Sequence, residues 1–288
     1  MWLVRRVVPR IREREQRLLI LEDMWKDLRS CKAFIVDKDE TPKRERIELR
    51  HPHTALKRNP DRSFSMKCRV ISDLRRVNLW LNKKVAFPAF APSIAHIFDR
   101  ILALKTRYPG IDVLLTKRDI SGAFKRLPLH PDCARVFVRA FRATDHERRF
   151  SRSVGFFALP FGFLASPEYS ALTTAPLQTN RRSFRLEETI RNDREAYVAF
   201  LYIDGGISVE SNIRGRPAQR VQILESIARA ILGYDCINEE KNEVEGACSE
   251  EAIILGFVGN TETCEIRVPD VKIQGGPSLS LRVSLEKG

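Results

Sequence analysis

The sequence predicts an α+β fold in which an antiparallel sheet is backed by helices. Short apolar segments typical of strands are paired across polar turns, which indicates hairpins. Amphipathic segments with helical spacing lie between these hairpins, and they do not alternate regularly with single strands. A doubly wound parallel sheet is therefore not indicated, and no internal repeat is visible along the chain.

The first sixty residues combine a helix, a strand and a basic segment. Apolar residues spaced among charges predict an amphipathic helix over residues 10–30, which either packs on a core or lies on a membrane surface. A short strand is expected over residues 33–36. Residues 41–62 hold seven basic and three acidic residues with three prolines, so we expect a loop there. This loop is either solvated or tracks phosphates.

From residue 63 the pattern becomes regular. The apolar residues 113–116 predict a buried strand that leads into Asp119. The other elements expected in this part are a strand over 68–71, a helix over 94–102, a hairpin with strands at 137–141 and around 150, and a helix after Pro167.

The second half of the chain predicts one sharp hairpin, one long helix and a final hairpin. Residues 176–195 are charge-rich and form either a surface helix or an insertion. The elements expected after them are a strand over 197–203, a tight turn at Asp204-Gly205-Gly206, a returning strand over 207–209, a helix over 221–232, and a hairpin of 253–258 and 264–268 around Gly259-Asn260.

Charge is distributed unevenly over the 288 residues. The formal net charge is +13, but residues 1–150 carry 35 basic and 18 acidic side chains, which predicts a polyanionic partner for that half. No apolar run approaches the ~20 residues needed to cross a bilayer, and no signal-peptide core is present. We therefore expect an intracellular protein of the cytoplasm or nucleus without a membrane partner. The six cysteines form no Cys-x-x-Cys pair, so reduced structural thiols are expected.

Two aspartates stand at special places in this pattern. Asp119 ends a buried strand, and Asp204 lies at the tip of an apolar hairpin. Carboxylates placed side by side in this way can hold hard divalent cations such as Mg²⁺. An aspartate in a turn is more often only a turn residue, so the spacing alone does not decide between these interpretations.

Six segments occur in an order typical of one enzyme family. They are residues 67–78, residues 115–129 around Asp119, the Leu-Pro-Phe-Gly and Ser-Pro segment 159–167, the hairpin 200–205, the segment 233–241, and the Leu-Gly-Phe at 255–257. Together they resemble the fingers motif, the first catalytic motif, the Leu-Pro-Phe-Gly motif, the Tyr-x-Asp-Asp hairpin, the lysine motif and the primer grip of the reverse transcriptases of retrotransposons. The match covers about residues 64–272.

The resemblance implies a right-hand polymerase whose fingers and palm are interleaved along the chain. Its activity would be template-directed addition of deoxynucleotides to a primer 3′ end, with an RNA or DNA template and deoxynucleoside triphosphates as partners. The family uses two Mg²⁺ ions, with Mn²⁺ as an alternative, and Asp119 and Asp204 would be their ligands.

Five further residues acquire roles through the resemblance. Lys67 and Arg69 would contact the incoming triphosphate. Phe124 would lie under the sugar and exclude a 2′-hydroxyl, unless it is simply a core residue. Gly162 would allow close approach of template or nucleotide. Lys241 would donate a proton to pyrophosphate, or would be a solvated surface lysine.

Gly205 departs from the family pattern because a second hairpin carboxylate is expected there. Glu210 does not replace it, since six strand residues at ~3.3 Å each place it about 20 Å from Asp204. Asp112 is similarly distant from Asp119. Gly205 therefore leaves open whether the chain is an active enzyme.

Three functions follow from these observations. The first is a reverse transcriptase domain with impaired synthesis, the second is a catalytically inactive nucleic-acid-binding relic, and the third is an interaction protein that binds no metal. The expected organisation is an N-terminal basic extension over 1–62, interleaved fingers and palm over 63–272, and an unstructured or truncated tail over 273–288. The sequence does not predict an oligomeric state.

Overall fold

The structure is a computed structural model that describes residues 13–36, 49–50, 52–58, 64–79, 92–134, 136–140, 153–167, 169–170, 197–269 and 280–282. Within these residues the α-helices are α1 (Glu13–Arg29), α2 (Arg75–Leu79), α3 (Ile94–Arg107), α4 (Pro131–Ala134), α5 (Arg216–Leu232) and α6 (Glu239–Glu245). Short 3₁₀ turns cover Ala123–Arg126 and Tyr234–Cys236.

The strands of the same residues fall into small sheets. They are β1 (Ala33–Val36), β2 (Leu49–Arg50), β3 (Pro52–Arg58), β4 (Phe64–Ser72), β5 (Val113–Asp119), β6 (Val138–Ala140), β7 (Ser153–Phe156), β8 (Ala199–Tyr202), β9 (Gly205–Ser211), β10 (Glu251–Ile254), β11 (Phe257–Asn260), β12 (Glu265–Arg267) and β13 (Ser280–Arg282). Nearly all pairings are antiparallel, and β2 with β6 is parallel. The fold is α+β, as the sequence predicts.

Contacts divide the chain into two compact units that are interleaved in sequence. Unit 1 consists of Met1–Leu81 and Pro128–Ser166. It contains a sheet in the order β1-β7-β6-β2 and a ribbon of β3 with β4. Its core joins α1 residues such as Met24 to apolar residues of the sheet and ribbon, among them Val70 and Phe156.

Unit 2 consists of Asn82–Leu127 and Pro167–Gly288. Its central sheet has the order β5-β9-β8, and a second sheet has the order β10-β11-β12-β13. Ile207 and Val209 on β9 pack with apolar residues of α3. Gly206, on the alternate face of the same strand, lies against Leu224 of α5. Helices therefore cover both faces of β9, which explains why this strand is buried almost throughout.

Several expected elements are confirmed. α1, β1, β5 and α5 lie where the patterns predict them, and Gly233 ends α5. Cysteines 31, 133, 236, 248 and 264 are free thiols. In the part of the chain that the structure describes, no helix has the length and apolar character needed to cross a bilayer. The loop of the hairpin expected between residues 141 and 150 and the segment 176–195 lie outside the described residues.

Residues 41–62 are not simply the predicted loop. β3 begins at Pro52, and Pro60 lies beyond its end, so neither proline interrupts its pairing with β4. The final hairpin is also shifted, because Gly259 and Asn260 lie within β11 and the turn is at Leu255-Gly256. Part of the expected unstructured tail pairs as β13 with β12.

Candidate active site

Asp119 is the last residue of β5, and its position follows from the burial of that strand. Val113 and Leu115 are fully buried, so β5 is held in register against β9 along its whole length. The register places Asp119 directly opposite Gly205. The carboxylate consequently lies at the end of the central sheet of unit 2, with only 8% of the residue exposed.

Asp204 lies in the two-residue turn that joins β8 to β9. The turn consists of Ile203 and Asp204, so the predicted turn at Asp204-Gly205-Gly206 is shifted by one residue. Ile203 takes a positive φ of 53°, although an apolar β-branched residue rarely does so. The Ile120 amide donates to the Asp204 carbonyl at 2.7 Å. Asp119 and Asp204 are therefore at the same end of the sheet, as the sequence predicts.

Lys241 reaches Asp119 from α6. Its Nζ donates to Asp119 Oδ1, and the two residues form an ion pair. Burial alone lowers the pKa of Lys241, but the Asp119 hydrogen bond and the charges of Asp119, Glu245 and Asp204 raise it above its ordinary value overall. Lys241 is therefore a positively charged ammonium at neutral pH, and it is not a solvated surface lysine.

Two asparagines dock α6 on the end of β5. Asn238 Nδ2 donates to Asp119 Oδ2 at 2.9 Å, and Asn238 Oδ1 accepts from the Lys241 amide as the N-cap of α6. The Asp119 amide donates to Asn242 Oδ1 at 2.9 Å. The sequence interpretation did not single out either asparagine. Asn238 followed by two glutamates is an N-cap pattern that predicts where α6 begins, but not its contact with Asp119.

The two residues before Asp119 also hold α6 against β5. Lys117 Nζ lies 2.6 Å from Glu245 Oε2, and Arg118 Nη1 donates to the Gly246 carbonyl. Arg118 Nε also bonds Glu225 of α5 at 2.8 Å. The strand that ends in Asp119 is therefore tied to both neighbouring helices.

Gly205 has space for a side chain. A Cβ atom there would lie 3.7 Å from the Tyr202 carbonyl oxygen and 3.9 Å from that of Arg118, which is ordinary contact. Side chains directly opposite in an antiparallel pair project to the same face, with Cβ atoms about 4.5–5.5 Å apart. A carboxylate at this position would therefore stand beside Asp119.

The donors present do not match a site for two divalent ions. Asp119 and Asp204 supply two carboxylates, Gly205 supplies none, and the Lys241 ammonium already occupies Asp119 Oδ1. Among the described residues, no group of three or more His, Cys, Asp or Glu side chains is arranged to hold a metal ion. The site thus has one carboxylate fewer than the resemblance implies, and the Lys241 ammonium already lies in it.

Phe124 lies in the 3₁₀ turn Ala123–Arg126, five residues after Asp119. Its ring is largely buried within unit 2, with 9% of the residue exposed. Burial is expected both for a core residue and for a ring packed under a sugar. Its role in nucleotide selection stays a prediction.

The other predicted nucleotide-binding residues belong to unit 1. Lys67 and Arg69 lie in β4, where Arg69 is paired with Ala55 of β3. Gly162 has a φ of 105°, and a Cβ there would come within 2.1 Å of the Ser72 carbonyl oxygen. This close contact within the chain accounts for the glycine by itself, so an approach of template or nucleotide stays a prediction.

Asn78 holds the segment around Gly162. Its Nδ2 donates to the Gly162 carbonyl at 3.0 Å, and its Oδ1 accepts from the Leu164 amide at 2.9 Å. The Ser72 amide donates to the Phe161 carbonyl at 3.0 Å. The predicted fingers motif and the Leu-Pro-Phe-Gly motif are therefore in direct contact within unit 1.

Glu210 belongs to a buried cluster away from the two aspartates. Its carboxylate bonds Arg216 at 2.8 Å, and the Tyr197 ring stacks on the Arg216 guanidinium at 4.4 Å. Burial, followed by the charges of Arg100 and Arg220, lowers the pKa of Arg216 to about 10. Glu210 therefore neutralises buried guanidinium charge, in agreement with the expectation that it does not replace a carboxylate at position 205.

Comparison with known proteins identifies a solved structure with a similar fold. Neither protein-family models nor curated proteins match the chain. A solved structure of a foamy viral protease-reverse transcriptase in complex with double-stranded DNA is similar over 86% of this chain, with a TM-score of 0.58 and 14% identity. The match spans 34% of the viral chain. The fold is thus like that of a reverse transcriptase.

Proposed function

We propose that this chain is the fingers and palm of a retrotransposon reverse transcriptase whose DNA synthesis is impaired. The observation that carries the proposal is the pairing of Asp119 with Gly205, which places the Asp119 carboxylate and the Asp204 turn at one end of the sheet. The order of the sequence motifs and the reverse-transcriptase-like fold support the same assignment.

In this proposal Asp119 and Asp204 would hold Mg²⁺ during synthesis, in competition with the Lys241 ammonium. The ion would supply charge neutralisation at the transferred phosphate. Lys67 and Arg69 would contact the incoming triphosphate, Phe124 would lie under the sugar, and Lys241 would donate a proton to pyrophosphate. The Lys241 ammonium and the missing carboxylate at Gly205 leave too little negative charge for two ions. We therefore expect synthesis to be slow.

The partners in this proposal are primer–template and deoxynucleoside triphosphates. Residues 1–150 carry 35 basic and 18 acidic side chains, an excess that suits the phosphates of a nucleic acid. The foamy viral enzyme was solved with double-stranded DNA, which is the kind of duplex that a polymerase holds. A location in the cytoplasm or nucleus stays a prediction.

Primer extension on a homopolymer RNA template, with Mg²⁺ or Mn²⁺, tests the proposal. We expect slow extension by the parent chain and none by Asp119→Asn, which keeps the shape of the side chain and removes its charge. Extension that survives Asp119→Asn would contradict the assigned site.

The contact of Lys241 with Asp119 favours a second candidate, a nucleic-acid-binding protein without synthesis. An ammonium on the principal carboxylate neutralises the charge that would attract a metal ion. This candidate predicts tight binding of primer–template with no extension under any divalent ion. Binding and extension measured on the same preparation separate the two functions.

A further inference from the structure

The Asp119 carboxylate has each oxygen engaged by α6. Lys241 Nζ bonds Oδ1, and Asn238 Nδ2 bonds Oδ2 at 2.9 Å. Lys241 is thus the charged partner of this carboxylate, and its side chain is only 38% exposed. The contact belongs to a hydrogen-bonded cluster at the end of β5 and is not an isolated surface ion pair.

The backbone around Lys241 fixes the ammonium in this place. The Asn238 amide donates to the Asp119 carbonyl at 3.0 Å, and the Asp119 amide donates to Asn242 Oδ1 at 2.9 Å. Lys241 lies between these two asparagines on α6. Both sides of this helical turn are anchored to Asp119. The backbone of Lys241 is therefore already fixed, and only its side chain loses conformational entropy when the ion pair forms.

The charges around the pair nearly balance without any added ion. Asp119 and Asp204 are negative, Lys241 is positive, and the neighbouring Glu245 is already paired with Lys117 at 2.6 Å. A single net negative charge remains over residues 119, 204 and 241. A divalent cation would have to approach the Lys241 ammonium at close range, which is unfavourable in a partly buried site.

We propose that the Lys241 ammonium is the resident cation of the Asp119 carboxylate and takes the place of a divalent ion. Removing this charge, or adding a carboxylate at position 205, opens a divalent-ion site between Asp119 and Asp204. The inference rests on the proposed function for the choice of these two aspartates as ion ligands, and it does not depend on any synthesis by the chain.

Four full-length proteins test the inference: the parent, Lys241→Met, Gly205→Asp and the double variant. Over residues 119, 204, 205 and 241 they carry one, two, two and three net negative charges in that order. Binding of Mn²⁺ alone, without nucleotide or nucleic acid, is followed through the electron paramagnetic resonance of the free ion. We expect each single variant to bind Mn²⁺ at least tenfold more tightly than the parent, and the double variant to bind most tightly.

Two controls identify the site. Lys105→Met removes the same charge from α3, where the Lys105 ammonium donates to the Glu262 carbonyl at 3.4 Å, and it should leave Mn²⁺ affinity unchanged. Asp119→Asn in the Lys241→Met background should abolish the gain. Circular dichroism of every variant checks that it is folded.

Lys241→Gln keeps the test decisive if Lys241→Met does not fold, because its amide can still donate a hydrogen bond to Asp119 but carries no charge. The inference is overturned if folded Lys241→Met or Lys241→Gln binds Mn²⁺ no more tightly than the parent, or if Lys105→Met gives an equal gain. A gain in Mn²⁺ affinity without primer extension would uphold the inference and reject the proposed synthesis. Extension without that gain would do the reverse.

Discussion

Asn238 caps the helix that carries Lys241 and, through the same side chain, holds the carboxylate of Asp119. Its Oδ1 accepts from the Lys241 amide, and its Nδ2 donates to Asp119 Oδ2 at 2.9 Å. One amide group therefore couples the start of α6 to the end of β5. The orientation of Asp119 depends on a residue 119 positions later in the chain.

Asn238→Ala should lower stability by about 1–3 kcal/mol, because it removes a helix cap and leaves Asp119 Oδ2 without its donor. Asn238→Ser is the matched control, since a serine retains the cap but is too short to donate to Asp119. Urea denaturation followed by circular dichroism measures both. An equal loss in the two variants would show that only the bond to Asp119 contributes, and an unchanged stability of Asn238→Ser would show that only the cap does.

Gly205→Asp should raise primer extension at least tenfold over the parent. The substitution adds a carboxylate opposite Asp119, and a Cβ there meets nothing closer than 3.7 Å. Preorganised electrostatic groups of this kind are typically worth ~10²–10³ in rate. Asp119→Asn or Asp204→Asn in the same background should abolish extension. A folded Gly205→Asp protein without extension would favour the binding-only function.

Gly162→Ala should destabilise unit 1 by about 2 kcal/mol or more. The added Cβ would come within 2.1 Å of the Ser72 carbonyl oxygen at a φ of 105°, and a backbone atom cannot move aside easily. Gly205→Ala is the control, because its Cβ has ordinary contacts and should change stability by less than about 1 kcal/mol. Urea midpoints of the two variants give the comparison, and similar midpoints would refute the assigned contact.

Binding of primer–template should weaken steeply with salt. The excess of basic side chains in residues 1–150 implies that several phosphates are neutralised, so affinity should fall by orders of magnitude between about 50 and 200 mM salt. Fluorescence anisotropy with two unrelated duplex sequences measures the slope and the lack of sequence preference. A flat dependence on salt would reject electrostatic binding.

Phe124→Ala in the Gly205→Asp background should increase the ratio of ribonucleotide to deoxynucleotide incorporation. The smaller side chain leaves room for a 2′-hydroxyl if the ring lies under the sugar. Phe124 is largely buried, so its removal also costs about 3–5 kcal/mol of stability, and folded protein must be confirmed first. An unchanged ratio in folded protein would identify Phe124 as a core residue only.

Local pattern was sufficient for much of the fold. The apolar residues before Asp119 predicted β5 because a buried strand needs both faces apolar, and the helical spacing before Gly233 predicted α5. The turn after Tyr202 was placed wrongly because two glycines attract a turn prediction. In the structure the residue with a positive φ is Ile203, and Gly205 is the first residue of β9.

The site was predictable only in part. The strand and hairpin pattern singles out Asp119 and Asp204, and motif order adds Lys241. The structure brings Asp119 and Lys241 into direct contact, and the catalytic roles of the three residues stay predictions. Asn238 and Asn242 were not found, because their role depends on a contact between distant segments that no local spacing encodes. For the same reason the sequence did not reveal that the Ser72 carbonyl oxygen lies against Gly162.

The alternation of the two units along the chain sets the order in which the protein can fold during synthesis. Unit 1 lacks its second segment until residue 166 has been made, and β5 has no β9 to pair with until residue 211. The ion pair of Asp119 must then close a loop of more than a hundred residues to reach Lys241. Asp119 is therefore translated early but acquires its partners late, and a ribosome that stalls before α6 leaves this carboxylate without either oxygen bonded.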